Sequence, residues 1–528
     1  MEPEDFAVVP LPLLNATVGN VTLMARTSVI FNAQLSFRKL HDAWIKALRV
    51  RPIMQAVMRR SQSAPSGLVY HVRTPVGLSK YLKQQALAPN HLKDLYFLDE
   101  SHRSIQDYCP AYGQAAMNAK ASGRIFISDG PMRSEVKRCT AFNAVESIEE
   151  LLGSERPHNT IQVTRFSDAT VITMSVNHAF GDLITLKAYF KAWEAALNGQ
   201  TVEPFQNEEV DPFAPYGPGG EFAEAALAKN PRAPPQPPPG WHVYSMLDKA
   251  RFLRRSLWDY YIARPESTIK DKRIFIPASQ VQALEDTAKL DLRLLLERRE
   301  REELGKELKK PIYVSQGDVI YAWLLKQIHA HLPSDQESTA CTIANGRFKP
   351  PSPLTSDAPE LANNDLLCAA MAIALPTLTA GMVASMSLGE LALHVRGGIK
   401  AHASPESLRD WLIFQLYHSG FKKPSGQVVV PWAPHHFVTG VTDWTMVHLE
   451  QLDFAAARLD GDRTVPAIPC AIDGHMALKG TRRDFFICLG DVNGGIWILG
   501  YASENQWKDP KGFGKYDKIE RGKTTSKL

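Results

Sequence analysis

The sequence predicts an α/β fold built as two successive units, and three observations carry that prediction. Up to about Gly199, stretches of strand-like alternation and of helix-like periodicity follow one another. Ten prolines between residues 201 and 241 then interrupt both patterns, as in a stiff surface crossover. A new strand pattern at Arg273–Ile276 opens a second α/β run. The expected organisation is an N-terminal domain at 1–200 and a Pro-rich linker with a helix (about Ser245–Ile262) at 201–272. A C-terminal domain at 273–521 and a flexible tail at 522–528 complete it.

Within the first unit, Thr170–Asn177 alternates with Ile172, Met174 and Val176 on one face, the period of a half-buried strand. His178 continues that face. After Gly181 the period changes, because Leu183, Leu186, Phe190, Trp193 and Leu197 recur at helical spacing before the stop Asn198-Gly199. The pentapeptide His178-Ala179-Phe180-Gly181-Asp182 therefore occupies a strand-to-helix corner, where a rigid strand aims a side chain that the turn leaves accessible.

In the second unit, Leu290–Lys310 is a charged stretch with leucines at 292, 295 and 296, expected as a solvated helix with i,i+4 pairs. Ser315-Gln316-Gly317-Asp318 has capping-box form ahead of Ile320, Trp323, Leu324 and Ile328. Leu366–Gly389 carries no charge, but Pro376 and its Thr, Ser and Gly residues favour a buried strand followed by a loop over a membrane span.

The motif HxxxD is weak alone: with 16 histidines, roughly one occurrence is expected by chance. A second copy, His331-Leu332-Pro333-Ser334-Asp335, follows a helical pattern and contains a proline, so it reads as a helix exit. By itself His178 fits a core histidine as well as a reactive one. His435-His436, a pair without a third ligand, reads as structural or as facing a channel, and no metal site is implied.

Composition narrows the classes. A formal charge of +4 with dispersed basic residues excludes a nucleic-acid partner. Six cysteines without CxxC or Cys/His spacing read as free thiols of a reducing compartment. No secretory signal is apparent, so the Asn15 and Asn20 sequons are expected to stay unglycosylated. The chain ends in Ser526-Lys527-Leu528, the address read by the peroxisomal import receptor, so a peroxisomal location is expected, and a cytoplasmic one otherwise.

Later segments break the tie over His178. Ala344-Asn345-Gly346-Arg347 follows an apolar run, Asn363-Asn364 comes next, Val441-Thr442-Asp443-Trp444 closes a strand pattern, and Leu452-Asp453-Phe454 comes last. In this order with HxxxD, they resemble the BAHD-type, coenzyme-A-dependent acyltransferases, and more closely the fungal branch that includes trichothecene acetyltransferases. The resemblance runs from a strand at Met24–Asn32 and a helix at Ser36–Leu48 to a hairpin at Asn493-Gly494. One segment departs: the family has Asp-Phe-Gly-x-Gly where Asp453-Phe454 is followed by three alanines.

The resemblance implies a two-domain, chloramphenicol-acetyltransferase-like architecture, each domain a mixed sheet with flanking helices. The reaction centre would lie in a channel between domains, with donor and acceptor entering from opposite faces. It implies His178 as general base, Asp182 paired with Arg347 of the other domain, and Thr442 and Trp444 near the thioester carbonyl. Asn177 and Gly181 form the wall. No bound cofactor is expected, with a coenzyme A thioester as co-substrate and a monomeric enzyme.

The acceptor implied is a sugar hydroxyl of a secreted glycolipid such as a mannosylerythritol lipid, then a terpenoid, alkaloid or polyketide alcohol, then a polyamine nitrogen. A carnitine-type acyltransferase and a catalytically silent two-lobed binding protein are the alternatives. The first lacks its Ser-Thr-Ser triplet here, and intact His178, Asp182 and Arg347 argue against the second.

Overall fold

A computed structural model describes residues 3–86, 95–113, 123–130, 133–205, 211–229, 235–302, 313–345, 370–422, 426–477 and 483–517. The chain enters β1 (Met24–Phe31) and turns into helix α1 (Phe37–Val50). Strands β2 (Leu95–Glu100), β3 (Phe126–Asp129), β4 (Asn159–Phe166) and β5 (Thr170–Asn177) follow, then α2 (Leu183–Leu197). The second half begins with β6 (Ile269–Ile276), α3 (Ala278–Glu302), α4 (Gln316–His329), β7 (Glu337–Asn345) and β8 (Ala370–Ala374). It continues with α5 (Leu388–His402), β9 (Phe437–Asp443), β10 (Pro469–Ala477), β11 (Phe485–Gly490) and β12 (Ile496–Ser503).

Five strands pair in the order β10-β1-β5-β4-β2, antiparallel except where β2 joins β4. The second sheet runs β8-β7-β9-β11-β12-β6-β3, with β9 parallel to both its neighbours. Both sheets are mixed, and helices pack on each, so the α/β class with two mixed sheets holds. The sheets exchange edges, however. β10 comes from the second half yet closes the first sheet, and β3 from the first half extends the second. A contiguous division of the chain does not coincide with the sheets, because an edge strand is recruited by backbone pairing that its own composition does not record.

The first core lies between its sheet and helices α1 and α2. Ser36 caps α1, and Leu40, Ala43, Trp44, Ala47 and Leu48 fall on one buried stripe at three- and four-residue spacing. Trp44 meets Trp193 of α2 with ring centroids 5.0 Å apart. Each such buried side chain contributes about 1.5–3 kcal/mol of transfer free energy. On the second sheet, Ile274, Ile276, Phe486 and Ile498 pack against Ile320, Leu324 and Ile328 of α4 and Leu391 and Val395 of α5. The capping box at the start of α4 is formed, with Ser315 and Asp318 bonded reciprocally.

Between the sheets lies a buried ion pair, Arg273 Nη2 on β6 to Asp473 Oδ2 on β10, 3.0 Å apart. The Arg273 guanidinium also stands over the Tyr112 ring. Removing either charge leaves the other buried and unpaired.

Two elements differ from expectation. The charged helix starts at Ala278 rather than near Leu290, and its i,i+4 partners include Gln282 with Asp286 and Lys289 with Glu285. Of the uncharged stretch, the described part is β8 followed by a short helix, Ala380–Ser385, rather than a loop, because the Thr379 hydroxyl accepts from the Met382 N–H and caps it. Among the described residues, no helix is long and apolar enough to cross a membrane.

Candidate active site

The corner after β5 is a single helical turn, His178–Phe180, built by its own side chains and three distant ones. Asn177 Oδ1 accepts from the Ala179 N–H at 2.9 Å, while its Nδ2 donates to the Val21 carbonyl at 2.8 Å. The His178 N–H donates to the Leu23 carbonyl (2.8 Å), and the His178 carbonyl accepts from Gly181. Asn15 Nδ2 and the Tyr70 hydroxyl both donate to the Ala179 carbonyl, at 2.8 and 3.4 Å. Phe180 lies flat on the His158 ring, 3.5 Å between centroids, with Tyr70 and Tyr189 edge-on. The N–H and carbonyl of both His178 and Ala179 thus have fixed partners, which hold the Cα from which the His178 ring projects.

His178 itself is half-buried. Burial holds its imidazole below the ordinary value, and the Asp182 carboxylate opposes that shift. Burial thus favours the uncharged ring. Asp182 Oδ1 accepts the Ile184 N–H at 2.9 Å and is the N-cap of α2. Gly181 is required for close approach: a Cβ there would stand 2.0 Å from Thr185 Oγ1.

Thr442 lies on β9 in register with Ile487, which in turn faces Leu499, on the side of the second sheet that packs into the first core. Trp444 follows the same strand directly. Its Nε1–H donates to Thr442 Oγ1 at 3.1 Å, and its ring rests on the backbone of β10, where a Cβ on Gly474 would meet it at 2.9 Å. The next turn, Thr445–Val447, touches α2. The fold brings the end of β9 and the start of α2 to one seam between the sheets, since Leu183, Ile184 and Trp444 all pack on the first core. Arg347, Gly346, Asn363-Asn364 and Ser526-Lys527-Leu528 lie outside the described residues.

On the opposite side of the second sheet, a cavity of about 340 Å3 runs between β9 and helices α4 and α5. Its wall is largely aliphatic, with Ile184 at the α2 end and Ile343, Val395, Val441 and Val447 around it. The Asp443 carboxylate in the wall accepts from the Thr445 N–H and hydroxyl, and Asp318 is bound to Arg396 at 2.6 Å.

The Asp453-Phe454 segment is structural. Asp453 Oδ1 accepts from the Ala455 and Ala467 N–H groups, and Phe454 is clamped by Phe31 and Trp193. None of the three alanines has a positive φ, so this turn does not need glycine. Sequence reasoning did not find Asn15, Tyr70 or His158. Asn15 showed only as a glycosylation sequon, and nothing local marks the other two as supports of a turn more than 19 residues away.

No family model matches the chain. It is 32% identical over 534 residues to acetyltransferase MATC1 of Mycosarcoma maydis, with 98% of each chain covered. It is 30% identical to acetyltransferase MAT1 of Pseudozyma antarctica, again over 98% of each. Among solved structures it is similar in fold to F. graminearum TRI101 complexed with ethyl coenzyme A (12% identity, 97% and 98% covered, TM-score 0.62). Vinorine synthase is a more distant match in fold (11% identity, 96% and 92% covered, TM-score 0.51). With acetyltransferases matched end to end at this identity, the chain belongs to the family of these fungal acetyltransferases, built on the fold that TRI101 and vinorine synthase share.

Proposed function

We propose that His178 is the general base of an O-acyl transfer from coenzyme A to a hydroxyl of a glycolipid sugar or other secondary metabolite. The observation that carries this is the half-buried imidazole, whose burial favours the uncharged ring, on a turn with the His178 and Ala179 backbone groups fixed by hydrogen bonds. The ring removes the acceptor hydroxyl proton as the oxygen attacks the thioester carbonyl. The tetrahedral intermediate then expels the coenzyme A thiolate, which takes the same proton back from the imidazolium. General base work of this kind contributes about 10²- to 10⁴-fold.

Thr442 supports the oxyanion. Its hydroxyl accepts from Trp444, which leaves its own proton to donate, so the two residues make one polarised donor rather than two. Asp182 positions the motif through the α2 cap, and Arg347 is its proposed charge partner. Asn177 and Gly181 shape the wall. The aliphatic cavity reaching Ile184 takes an apolar portion of donor or acceptor. A peroxisome, reached through Ser526-Lys527-Leu528 and its import receptor, supplies acyl-coenzyme A, and the enzyme acts as a monomer.

The test is a screen of acetyl-, medium- and long-chain acyl-coenzyme A against polyols and glycolipids, with free thiol and product mass as readouts. Acylated product that disappears in His178→Ala supports the reading, and equal product from both proteins ends it.

A further inference from the structure

Glu337 opens β7, and His435-His436 stand immediately ahead of β9. Because the parallel ladder pairs Ser338 with Phe437, it brings these three side chains to the same end of the second sheet. Their ligand atoms all lie within 4.8 Å of one another. Glu337 Oε2 is 2.8 Å from His435 Nε2 and 3.7 Å from His436 Nε2. A tetrahedral ion with bonds of about 2.0–2.2 Å sets neighbouring ligands roughly 3.3–3.6 Å apart. The two Glu337–histidine separations bracket that spacing, and the third pair lies within 4.8 Å.

The surroundings fit such a shell. His436 Nδ1 lies 2.7 Å from the hydroxyl of buried Thr339. Donation from that nitrogen would leave the Nε2 lone pair directed at the Glu337 carboxylate, two electron-rich groups meeting with no proton between them. A third imidazole, His242, pairs in register with Val430, five residues ahead of His435. Such a focus of donors favours a cation. Glu337 and His435 are exposed, so an ion can enter from solvent.

We propose that Glu337, His435 and His436 form a binding site for a divalent transition-metal ion of the zinc class, with His242 or water as the fourth ligand. Imidazole and carboxylate together suit zinc among the available divalent ions. The site lies about 20 Å along β9 from Thr442 by strand rise. Its role is to staple the starts of β7 and β9, whose sequence positions are far apart, and acyl transfer does not use it.

Zinc chloride is titrated into the full chain, stripped of metal, against a chromophoric chelator, with thermal unfolding in parallel. One zinc equivalent should be held, Tm should rise with zinc, and Glu337→Gln should weaken binding about tenfold or more. The substitution is exposed and conservative, so the variant should fold and keep its acyl-transfer rate. The double variant Glu337→Gln/His435→Ala should lose the equivalent altogether. Equal zinc affinity and stoichiometry in the parent and the double variant, or no zinc held by the parent, would overturn the proposal.

Discussion

The chain contains two copies of HxxxD, and the fold treats them oppositely. His178 precedes a helix and His331 follows one. The first sits at the N-terminus of α2, where the helix dipole disfavours an imidazolium, and Asp182 is spent on capping that same helix. The second lies past the C-terminus of α4, with its Nδ1 against the Ile328 carbonyl at 2.8 Å, its ring edge-on to Phe437 and Asp335 exposed. Burial lowers the basicity of both rings, so neither titration nor spacing separates them. What separates them is the backbone: the first turn is held by Asn15, Val21, Leu23 and Tyr70, whereas the second, beyond closing its helix end, is tied by a long-range bond from the Gly381 N–H to the Ser334 carbonyl.

The largest expected effect breaks this comparison directly. His178→Ala should lower acyl transfer by about 10²- to 10⁴-fold, whereas His331→Ala should stay within about twofold of the parent, both read as thiol release. A comparable loss in the two variants would remove the distinction. Next in size is the oxyanion donor. Thr442→Val should cost roughly 10²- to 10³-fold in kcat, and Trp444→Phe clearly less, because the indole acts only through the threonine hydroxyl. The reverse order would make the indole the direct donor.

The two carboxylates sharpen the contrast further. Asp182→Ala should lower stability by about 1 kcal/mol through the lost cap, and Asp335→Ala should leave the melting curve in place. Asp182→Asn keeps the cap, since asparagine caps as well as aspartate. A loss of about 3 kcal/mol in that variant would instead reveal a buried charge partner.

The smallest effects concern pH. Because burial lowers the His178 value, the acid limb of kcat/KM should fall below pH 6.5, with the base still neutral there. Stability behaves differently. His158 is held at about 3 and His329 at about 4, against 6.5 in the unfolded chain. The unfolded state binds these protons first, so their contribution is complete above pH 6.5 and is lost as the pH falls towards 4. The slope is at most about 1.4 kcal/mol per pH unit for each ring. Thermal unfolding between pH 7.5 and 5 should show it, and His329→Gln should flatten it.

Much of the α/β class and the corner at His178 were legible in the sequence, because both are local. The alternation over Thr170–Asn177 and the change of period after Gly181 are written in consecutive residues, and so is the Ser315 capping box. The edge exchange of β3 and β10 was not legible, since a strand's own residues state its faces and not its neighbour. The same limit hid Asn15, Tyr70 and His158.

The histidine pair makes the division plain. From the sequence, His435-His436 is a pair without a third ligand or partner, whereas the structure sets the Glu337 carboxylate 2.8 Å from His435. The third group, Glu337, is 98 residues away and arrives only when β7 and β9 pair in parallel. Sequence by itself determined periodicity, caps and the family order of motifs, which depend on interactions within a few residues. Tertiary structure alone decided which strand ends, and therefore which ligands and supports, share a place, because that choice follows from burying whole faces against one another.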